Sequence, residues 1–536
     1  MNKLPDFYYY LFSVMAEKLA VNGVKYAVLC PGSRSAPIAL TLMRNSKIKT
    51  FVVNDERSAA YIALGIANYS ASPVVLLSTS GTAALNFSPA VAEAFNQNIS
   101  LLVFTADRPS HFKDIGENQT IRQENLFEPN VTASYQLIPE NYINRFDEFH
   151  SFFLNFFTKA ASGPVHINCP LNDPLYSEQL AEYEIDNQEA INQERESISF
   201  NEDIFNQLKQ INRILIIPGL FKKNIVLEKT ISQWCNKYKA VVLHDITSNI
   251  HQSHNLIKRP DYCLQQNEAA QLLKPDLIIS FGNYTVSKNV KEFLRKHSPS
   301  EHWHIDKFGR PTNTYFCLSK TITAEPYDFF HATLNNDDGF QSESDYPDGW
   351  MSVDEQLINL FQSKLNTNKE LNFIDQFIQK IPENSILHLG NSMVVRYANE
   401  ACVPDNKNIE IFSNRGTSGI DGSLSTALGV ALVSGKPNFI LLGDQSFVYD
   451  RNALWNNFIP ENLKIIVINN RGGNIFRLMK GPSAQPEMEE YFVNYVAVEI
   501  SKIVEAHSIP YFMLNRTDDF SDFIAYKGCC IGEFEL

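Results

Sequence analysis

Short apolar runs that alternate with longer helical stretches constrain the fold of this chain more than any other feature. The runs are KYAVLC, TFVV, PVVLLST and SLLVFTA in a first set, RILIIPG, KAVVLHD, DLIISFG and HWHID in a second, and SILHLG, IEIFS, NFILLGD and KIIVIN in a third. Apolar strands joined by helices pair in parallel and are buried on both faces. The pattern predicts an α/β chain with three consecutive doubly wound domains, each built on a mostly parallel sheet.

Two polar stretches separate the three sets of runs. They are YEIDNQEAINQERESISFNED and NNDDGFQSESDYPDG, and both interrupt the alternation of strands and helices, as linkers do. The length of 536 residues also suits about three domains of ~100–200 residues each. We therefore predict domains over residues 1–182, 200–335 and 350–536.

The composition excludes several classes of function. The formal net charge is −14, whereas non-specific binding to nucleic acid requires a basic face. No apolar run reaches the ~18 residues of a membrane span, and the N-terminus, predicted as a helix from Asp6 to Gly23, lacks a signal-peptide pattern. The eight cysteines include no C-x-x-C pair, which argues against a zinc site or a disulfide framework. We predict a cytoplasmic protein.

Polar residues end two neighbouring strands of the third set. Asp444 follows NFILLG, and Asn469-Asn470 follow KIIVI. Ligands of parallel sheets lie at the carboxyl ends of the strands, and carboxylate and amide oxygens suit Mg²⁺ that also binds a diphosphate. Alternatively, Asp444 caps the next helix and the asparagines form a turn. The spacing of GD and NN is typical of thiamine-diphosphate enzymes and favours the metal site.

A glycine-rich segment, SNRGTSGIDGSLSTALG, precedes a predicted helix. Glycines at such a place leave backbone N–H groups free to bind phosphate. Close packing of the turn against a sheet explains the same glycines, but the neighbouring Arg415 favours an anion site.

The segment NDERSAAYIALG has two interpretations. Asn54 or Asp55 can cap a helix whose first turn holds Glu56. Glu56 can also be a buried carboxylate that exchanges a proton with a ring nitrogen of a ligand.

Several arginines lie in turns at predicted strand ends. They are Arg34, Arg108, Arg122, Arg396 and Arg415. Exposed arginines usually only face solvent, but this placement favours a basic pocket for carboxylates, which arginine binds in a bidentate manner. His302 and His304 share one face of a strand, and without neighbouring carboxylates or cysteines we interpret them as structural.

The motifs together resemble one family. CPGSRSAPIAL, NDERSAAYIALG, STSGTAALN, TADRP, GENQTIRQ, NRGTSGIDGSLSTALG and GDQSFVYDRNAL with VINNRGGNIF occur in the order found in the 2-succinyl-5-enolpyruvyl-6-hydroxy-3-cyclohexene-1-carboxylate synthases. These are thiamine-diphosphate enzymes of menaquinone biosynthesis. The resemblance implies a pyrimidine-binding domain, a central domain and a diphosphate-binding domain. It also implies at least a homodimer, with tetramers as an alternative, because Glu56 of one chain then meets Asp444 of another.

The resemblance implies a cofactor site. Asp444, Asn470 and the backbone of Gly472 would bind Mg²⁺ or Mn²⁺, and Glu56 would hydrogen-bond the aminopyrimidine of thiamine diphosphate. The other residues expected to contact the cofactor are Thr82, Ser392, Ser418, Gly419, Ile420, Gln445, Ser446, Asn474, Ile475 and Phe476.

The resemblance also implies two substrates, 2-oxoglutarate, which loses CO₂, and isochorismate, which receives the succinyl unit. The residues expected to bind isochorismate are Ser33, Arg34, Arg108, Gln119 and Lys288, and those expected to bind the carboxylates of the 2-oxoglutarate-derived part are Ser392, Arg396 and Arg415. Glu56, Gln119 and Arg396 are the expected catalytic residues.

Two positions depart from the patterns of known enzymes. Asn289 stands where many family members have arginine, and Gln445 stands where the wider superfamily has glycine. Two alternatives stay open, namely another thiamine-diphosphate-dependent 2-oxoacid decarboxylase or carboligase, and a binding protein that has lost catalysis.

Overall fold

A computed structural model describes residues 4–177, 202–266, 269–336, 339–495, 497–516 and 519–536. The described residues form three six-stranded sheets. Every strand pair in them is parallel. The prediction of an α/β fold with three parallel sheets is confirmed.

The first sheet has the strand order β2-β1-β3-β4-β6-β5. Its strands are β1 (Tyr26–Leu29), β2 (Lys49–Val52), β3 (Val74–Ser78), β4 (Leu101–Asp107), β5 (Ala133–Gln136) and β6 (Val165–Pro170). Its helices are α1 (Leu4–Val21), α2 (Ala36–Arg44), α3 (Glu56–Ser70), α4 (Thr82–Leu85), α5 (Ser88–Gln97) and α6 (Phe146–Ala160). Helix α1 begins before Asp6, which lies in its first turn, and Gly23 follows its end at φ +92°.

The second sheet has the order β12-β11-β10-β7-β8-β9. Its strands are β7 (Ile214–Pro218), β8 (Val241–Leu243), β9 (Leu256–Ile257), β10 (Leu277–Phe281), β11 (Glu301–Asp306) and β12 (Lys320–Thr323). Its helices are α7 (Glu202–Gln210), α8 (Ile225–Tyr238), α9 (Pro260–Cys263), α10 (Ala270–Leu273), α11 (Lys288–Lys296), α12 (Pro326–Leu334) and α13 (Tyr346–Gln356).

The third sheet has the order β14-β13-β15-β16-β18-β17. Its strands are β13 (Ile386–Leu389), β14 (Glu410–Phe412), β15 (Asn438–Gly443), β16 (Leu463–Asn469), β17 (Tyr511–Met513) and β18 (Cys530–Glu535). Its helices are α14 (Ile358–Thr367), α15 (Lys369–Lys380), α16 (Met393–Ala401), α17 (Ser423–Ser434), α18 (Asp444–Tyr449), α19 (Lys480–Ser483), α20 (Ile500–Ala506) and α21 (Asp519–Ala525). The first and third sheets therefore share one strand order, and the second has another.

The two predicted linkers differ in outcome. The first lies almost wholly outside the described residues, and so do the proposed limits at 182 and 200. The second is partly wrong, because its last residues begin helix α13, which packs against β8 and β9 of the second sheet and buries Tyr346 and Trp350 in the core there. The division into domains at particular residues stays a prediction.

The first and third sheets are held together by a close contact between α3 and α17. A Cβ atom at Gly65 would lie 2.1 Å from the carbonyl oxygen of Thr426, and one at Gly429 would lie 2.2 Å from that of Ile62. The two helix backbones therefore touch where these glycines face each other. Apolar residues of both sheets join this contact in one core, so the N-termini of α3 and α17 are fixed relative to each other.

No helix among the described residues is long and apolar enough to cross a membrane. All eight cysteines are free thiols, and none forms a disulfide.

Candidate active site

A cavity of about 300 Å³ lies at the carboxyl ends of β13, β14, β15 and β16. The strand order reverses between β13 and β15, because β14 lies on one side of β13 and β15 on the other. The loops that leave two such strands diverge and open a crevice, which is where open parallel sheets bind ligands. We call this space the switch-point cavity.

Oxygen atoms line one end of the switch-point cavity. The carboxylate of Asp444 accepts backbone N–H groups of Gln445, Arg471 and Gly472, and burial raises its pKa to about 6 although these bonds oppose the rise. The side-chain oxygen of Asn470 is buried and has no hydrogen-bond partner among the described residues. A carboxylate beside an unpaired amide oxygen fits a hard divalent cation.

Gly472 completes this end of the cavity. Its φ is +142°, and a Cβ atom there would lie 2.8 Å from the carbonyl oxygen of Val493. Only glycine fits without a shift of that backbone, so the chain can approach a ligand closely at this point. The capping interpretation of Asp444 is wrong, because Gly443 holds the cap position and Asp444 is the first residue of α18.

Glu370, in the first turn of α15, is a cavity residue that the sequence did not reveal. Its carboxylate accepts a 3.4 Å hydrogen bond from the side-chain nitrogen of Asn470. This bond directs the amide oxygen of Asn470 away from Glu370. Burial, with a smaller contribution from the charge of Asp444, raises the pKa of Glu370 to about 7.

Two arginines lie at the other end of the cavity. Arg396 donates to the carbonyl oxygen of Ser392 at 2.6 Å, and Arg415 donates to the side-chain oxygen of Asn391 at 3.1 Å. Burial lowers the pKa of both guanidinium groups, and the charge of Arg415 lowers that of Arg396 further. The Nε of Arg415 is buried with no partner among the described residues. These features fit an anionic ligand.

The second sheet contributes two charged groups near these arginines. Asp245 is buried, and its charge raises the pKa of Arg415 against the effect of burial. Lys291 donates to the carbonyl oxygen of Thr285 at 2.9 Å, and its pKa is lowered by burial first and then by the charge of Arg415. No sequence motif identifies either residue, because neither lies in a glycine-rich or strand-end segment of the third set.

Two serines that line the cavity have unusual backbone conformations. Ser392 has φ +71°, and Ser418 has φ +63°. Residues other than glycine in this region are strained, and such strain concentrates at functional sites.

Most of the residues predicted from the third set of strands meet in this one cavity. They are Ser392, Arg396, Arg415, Ser418, Ile420, Asp444, Gln445, Ser446, Asn470, Gly472, Asn474, Ile475 and Phe476. Gly419 lies in the same loop, where its carbonyl oxygen accepts a hydrogen bond from Asn391 at 2.6 Å. The amide of Gln445 donates to the carbonyl oxygen of Val493 at 3.2 Å, so this residue also joins two loops of the cavity.

The residues predicted from the first set lie elsewhere, at the carboxyl ends of the first sheet. Glu56 begins α3 and is not among the residues that line the switch-point cavity. Asp55 caps this helix by accepting the N–H of Ser58, as the structural interpretation predicted. Burial raises the pKa of the half-buried Glu56 carboxyl, with a smaller effect from Asp55.

Five other predicted residues lie along the same edge. Arg34 is buried and donates to Asp173 at 3.1 Å and to the carbonyl oxygen of Leu171 at 2.9 Å. Arg108 lies 3.7 Å from Glu117. The remaining three, Ser33, Thr82 and Gln119, are exposed, and Gln119 has φ +53°.

The structure places Lys288, an expected isochorismate-binding residue, at the surface. Its side chain is 77% exposed and lies 3.1 Å from Glu292, so it does not reach the cavity within one chain. Asn289 hydrogen-bonds the carboxylate of Asp261.

His302 and His304 both contact the hydroxyl of Ser280, at 2.8 and 2.9 Å, inside the second sheet. Among the described residues there is no group of three or more histidine, cysteine, aspartate or glutamate side chains placed to hold a metal. The candidate metal site at Asp444 and Asn470 is not a group of this type, because one of its two side-chain oxygens belongs to an amide.

Two family models match the chain. The model described as "Thiamine pyrophosphate enzyme, N-terminal TPP binding domain" matches residues 11–126, and the model described as "Middle domain of thiamine pyrophosphate" matches residues 175–389.

Eight curated relatives match 86–95% of the chain and share one name, 2-succinyl-5-enolpyruvyl-6-hydroxy-3-cyclohexene-1-carboxylate synthase. The relative from Flavobacterium johnsoniae is 37% identical over 527 residues, which cover 94% of this chain and 90% of the relative. That from Desulfotalea psychrophila is 36% identical over 521 residues and 95% of both chains. That from Bacteroides fragilis is 36% identical over 476 residues, 86% of this chain and 83% of the relative.

Proposed function

Since the chain belongs to the 2-succinyl-5-enolpyruvyl-6-hydroxy-3-cyclohexene-1-carboxylate synthases, thiamine-diphosphate enzymes of menaquinone biosynthesis, we propose that the switch-point cavity is where its reaction takes place. The enzyme removes CO₂ from 2-oxoglutarate and adds the succinyl unit to isochorismate. The observation that carries the assignment to this cavity is its charge pattern, with oxygens suited to a divalent cation at one end and the guanidinium groups of the buried Arg415 and the half-buried Arg396 at the other.

The oxygen end of the cavity suits the diphosphate of the cofactor. Asp444, Asn470 and the backbone of Gly472 would hold Mg²⁺ or Mn²⁺, which binds the diphosphate oxygens. Thiamine diphosphate, when bound, supplies the carbon that attacks the 2-oxo group and accepts the electrons released with CO₂. Ile420 and Ile475 line the same cavity and would exclude water beside the reacting carbon.

The arginine end suits the two carboxylates of 2-oxoglutarate. Arg396, Arg415 and Ser392 would bind them, and the fixed charge of Arg396 would also stabilise negative charge that develops during addition. The unpaired Nε of Arg415 supports this role, because a buried guanidinium normally has all its donors satisfied.

Glu56 would serve the cavity of a second copy of the chain. Burial raises its pKa, which favours a carboxyl that holds and releases a proton at a pyrimidine nitrogen. Ser33, Arg34, Arg108, Gln119 and Lys288 would bind isochorismate at the same subunit boundary. The exposure of Ser33, Thr82 and Gln119 in a single chain supports a homodimer, and we propose that this dimer works in the cytoplasm.

The decisive experiment measures the loss of isochorismate absorbance with thiamine diphosphate, Mg²⁺ and 2-oxoglutarate, leaving out each component in turn. Consumption that needs all of them, with a product mass that includes the succinyl unit, is the expected result. If isochorismate stays intact while pyruvate or another 2-oxoacid loses CO₂, the enzyme is a different decarboxylase or carboligase. Cofactor binding without any turnover would identify a binding protein.

A further inference from the structure

Glu93, on helix α5 of the first sheet, makes hydrogen bonds that reach the loop of the switch-point cavity. Its carboxylate accepts the N–H of Gly416 at 2.7 Å, the N–H of Thr417 at 2.6 Å and the hydroxyl of Thr417 at 2.5 Å. The side chain of Gln97 donates to it as well. Glu93 is completely buried.

A buried carboxylate is costly unless its oxygens are satisfied by strong donors. Among the described residues, Glu93 forms no ion pair within salt-bridge distance, and most of its donors belong to a loop that follows β14 of the third sheet. The carboxylate is therefore stabilised only while that loop stays in place, and the loop is held in turn by the carboxylate.

Gly416 lets the loop approach α5. A Cβ atom at this position would lie 2.9 Å from the backbone oxygen of Glu93 and 3.0 Å from its side-chain oxygen. The glycine and the carboxylate thus fix the loop at the same point, next to Arg415 and two residues before Ser418, both of which line the cavity.

We propose that Glu93 is a positioning residue for the substrate: it holds the loop from Arg415 to Ile420 so that the guanidinium of Arg415 faces the carboxylate of 2-oxoglutarate. This inference rests on the proposed role of Arg415. Glu93 does not touch the cavity itself, and it acts through the backbone of Gly416 and Thr417.

The test compares Glu93→Gln with the wild-type enzyme. The variant keeps the size of the side chain but replaces one acceptor oxygen by an NH₂ group, which faces the N–H groups of the loop. We expect the KM for 2-oxoglutarate to rise about tenfold while kcat changes less than about threefold, because ground-state binding of a carboxylate is lost. A residue with only a structural role would lower kcat through loss of folded enzyme and leave this KM unchanged, and that result would overturn the proposal.

Glu228→Gln is the matched control. Glu228 also holds a loop by accepting two backbone N–H groups, those of His251 at 2.7 Å and Gln252 at 2.8 Å, but it does not line the switch-point cavity. The KM for 2-oxoglutarate should not change in this variant. If Glu93→Gln does not fold, Thr417→Val removes one donor and keeps the carboxylate, and a two- to fivefold rise of the same KM is expected.

Hydrogen exchange of the cofactor-free protein separates this inference from the proposed function. In Glu93→Gln, amides from residue 413 to residue 422 should exchange faster while those of α5 keep their protection. Unchanged protection of the loop would refute the positioning role. If the wild-type enzyme does not consume 2-oxoglutarate, the proposed function fails, and the exchange result still decides whether Glu93 holds the loop.

Discussion

Replacing Gly65 by alanine tests whether the contact between α3 and α17 fixes the two parts of the active site. Helix propensity alone favours the change, because alanine is better than glycine in a helix by about 1 kcal/mol. The structure instead predicts that this substitution destabilises the protein. The new Cβ would lie 2.1 Å from the carbonyl oxygen of Thr426, and its next neighbours are also backbone atoms of α17.

The size of the effect follows from what must move. A backbone oxygen cannot turn away as a flexible side chain can, so the two helices must separate by roughly 1 Å, which forfeits about a quarter to a half of the dispersion energy of each contact across them. Overpacking of a core costs about 1–3 kcal/mol for side-chain neighbours, and we expect the upper part of this range here. After the gain in helix propensity is subtracted, the net loss in the free energy of unfolding is about 2 kcal/mol. This corresponds to a decrease in Tm of roughly 4–8 °C for a folding unit of about 150–250 residues.

Thermal unfolding followed by circular dichroism measures the loss, and hydrogen exchange locates it. Faster exchange should be confined to α3 and α17. Gly481→Ala is the control, since a Cβ at Gly481 meets nothing within 4 Å and should leave the Tm unchanged or slightly higher. If Gly65→Ala melts at or above the temperature of the wild type, the close contact between α3 and α17 does not exist in solution.

Four further predictions concern single side chains. Glu56→Gln should bind thiamine diphosphate with nearly wild-type affinity in calorimetry yet lose most turnover, and a wild-type rate would remove Glu56 from the mechanism. Asn470→Ala should raise the Mg²⁺ concentration for half-maximal activity by about tenfold or more, because an oxygen ligand is lost; an unchanged requirement would place the metal elsewhere. Lys291→Met should raise the KM for 2-oxoglutarate about tenfold, whereas Lys296→Met, at the exposed end of the same helix, should not; equal values for the two variants would refute a role of Lys291. Burial raises the pKa of Asp450 to about 7, so the folded state binds its proton more tightly than the unfolded state and this residue lowers stability as pH rises toward 7. The urea midpoint of Asp450→Asn relative to the wild type should therefore rise as pH increases from about 4 to about 7, and a difference that does not depend on pH would contradict the shifted pKa.

The twelve strands that the sequence predicts have short, mostly apolar runs, and three of the six strands that it misses have a physical reason to lack one. Strands β5 and β12 lie at sheet edges and are partly exposed, so burial does not demand apolar residues there. Strand β6 is buried but carries His166 and Asn168, whose side chains bond Thr105 at 2.8 and 2.9 Å. Only the paired neighbour makes such polar residues acceptable in a core, and a neighbour distant in sequence cannot be read from the run itself.

In the candidate site, too, the sequence predicts one group of residues and misses another. Residues expected to touch ligands, such as Asp444 and Asn470, follow strands in recognisable polar or glycine-rich segments, and they meet in one cavity. Residues that hold these groups come from other places in the chain. Glu370 directs the amide of Asn470 from the start of α15, and Glu93 holds the cavity loop from α5. Neither occurs in a motif, because a supporting contact can be supplied by any element that passes nearby.

The charge of Arg415 must be compensated by residues from distant elements of the chain. An acidic chain of net charge −14 must keep a cation buried, with only 7% of Arg415 exposed, and leave it a free donor for a substrate. A direct ion pair would satisfy the guanidinium and compete with the carboxylate of the substrate. Glu93 of the first sheet and Asp245 of the second sheet instead raise the pKa of Arg415 through their charges, while their carboxylates accept hydrogen bonds from backbone N–H groups and from the side chains of other residues. The charge of Arg415 is thus compensated without occupying its binding face, and this arrangement requires all three sheets to be packed together.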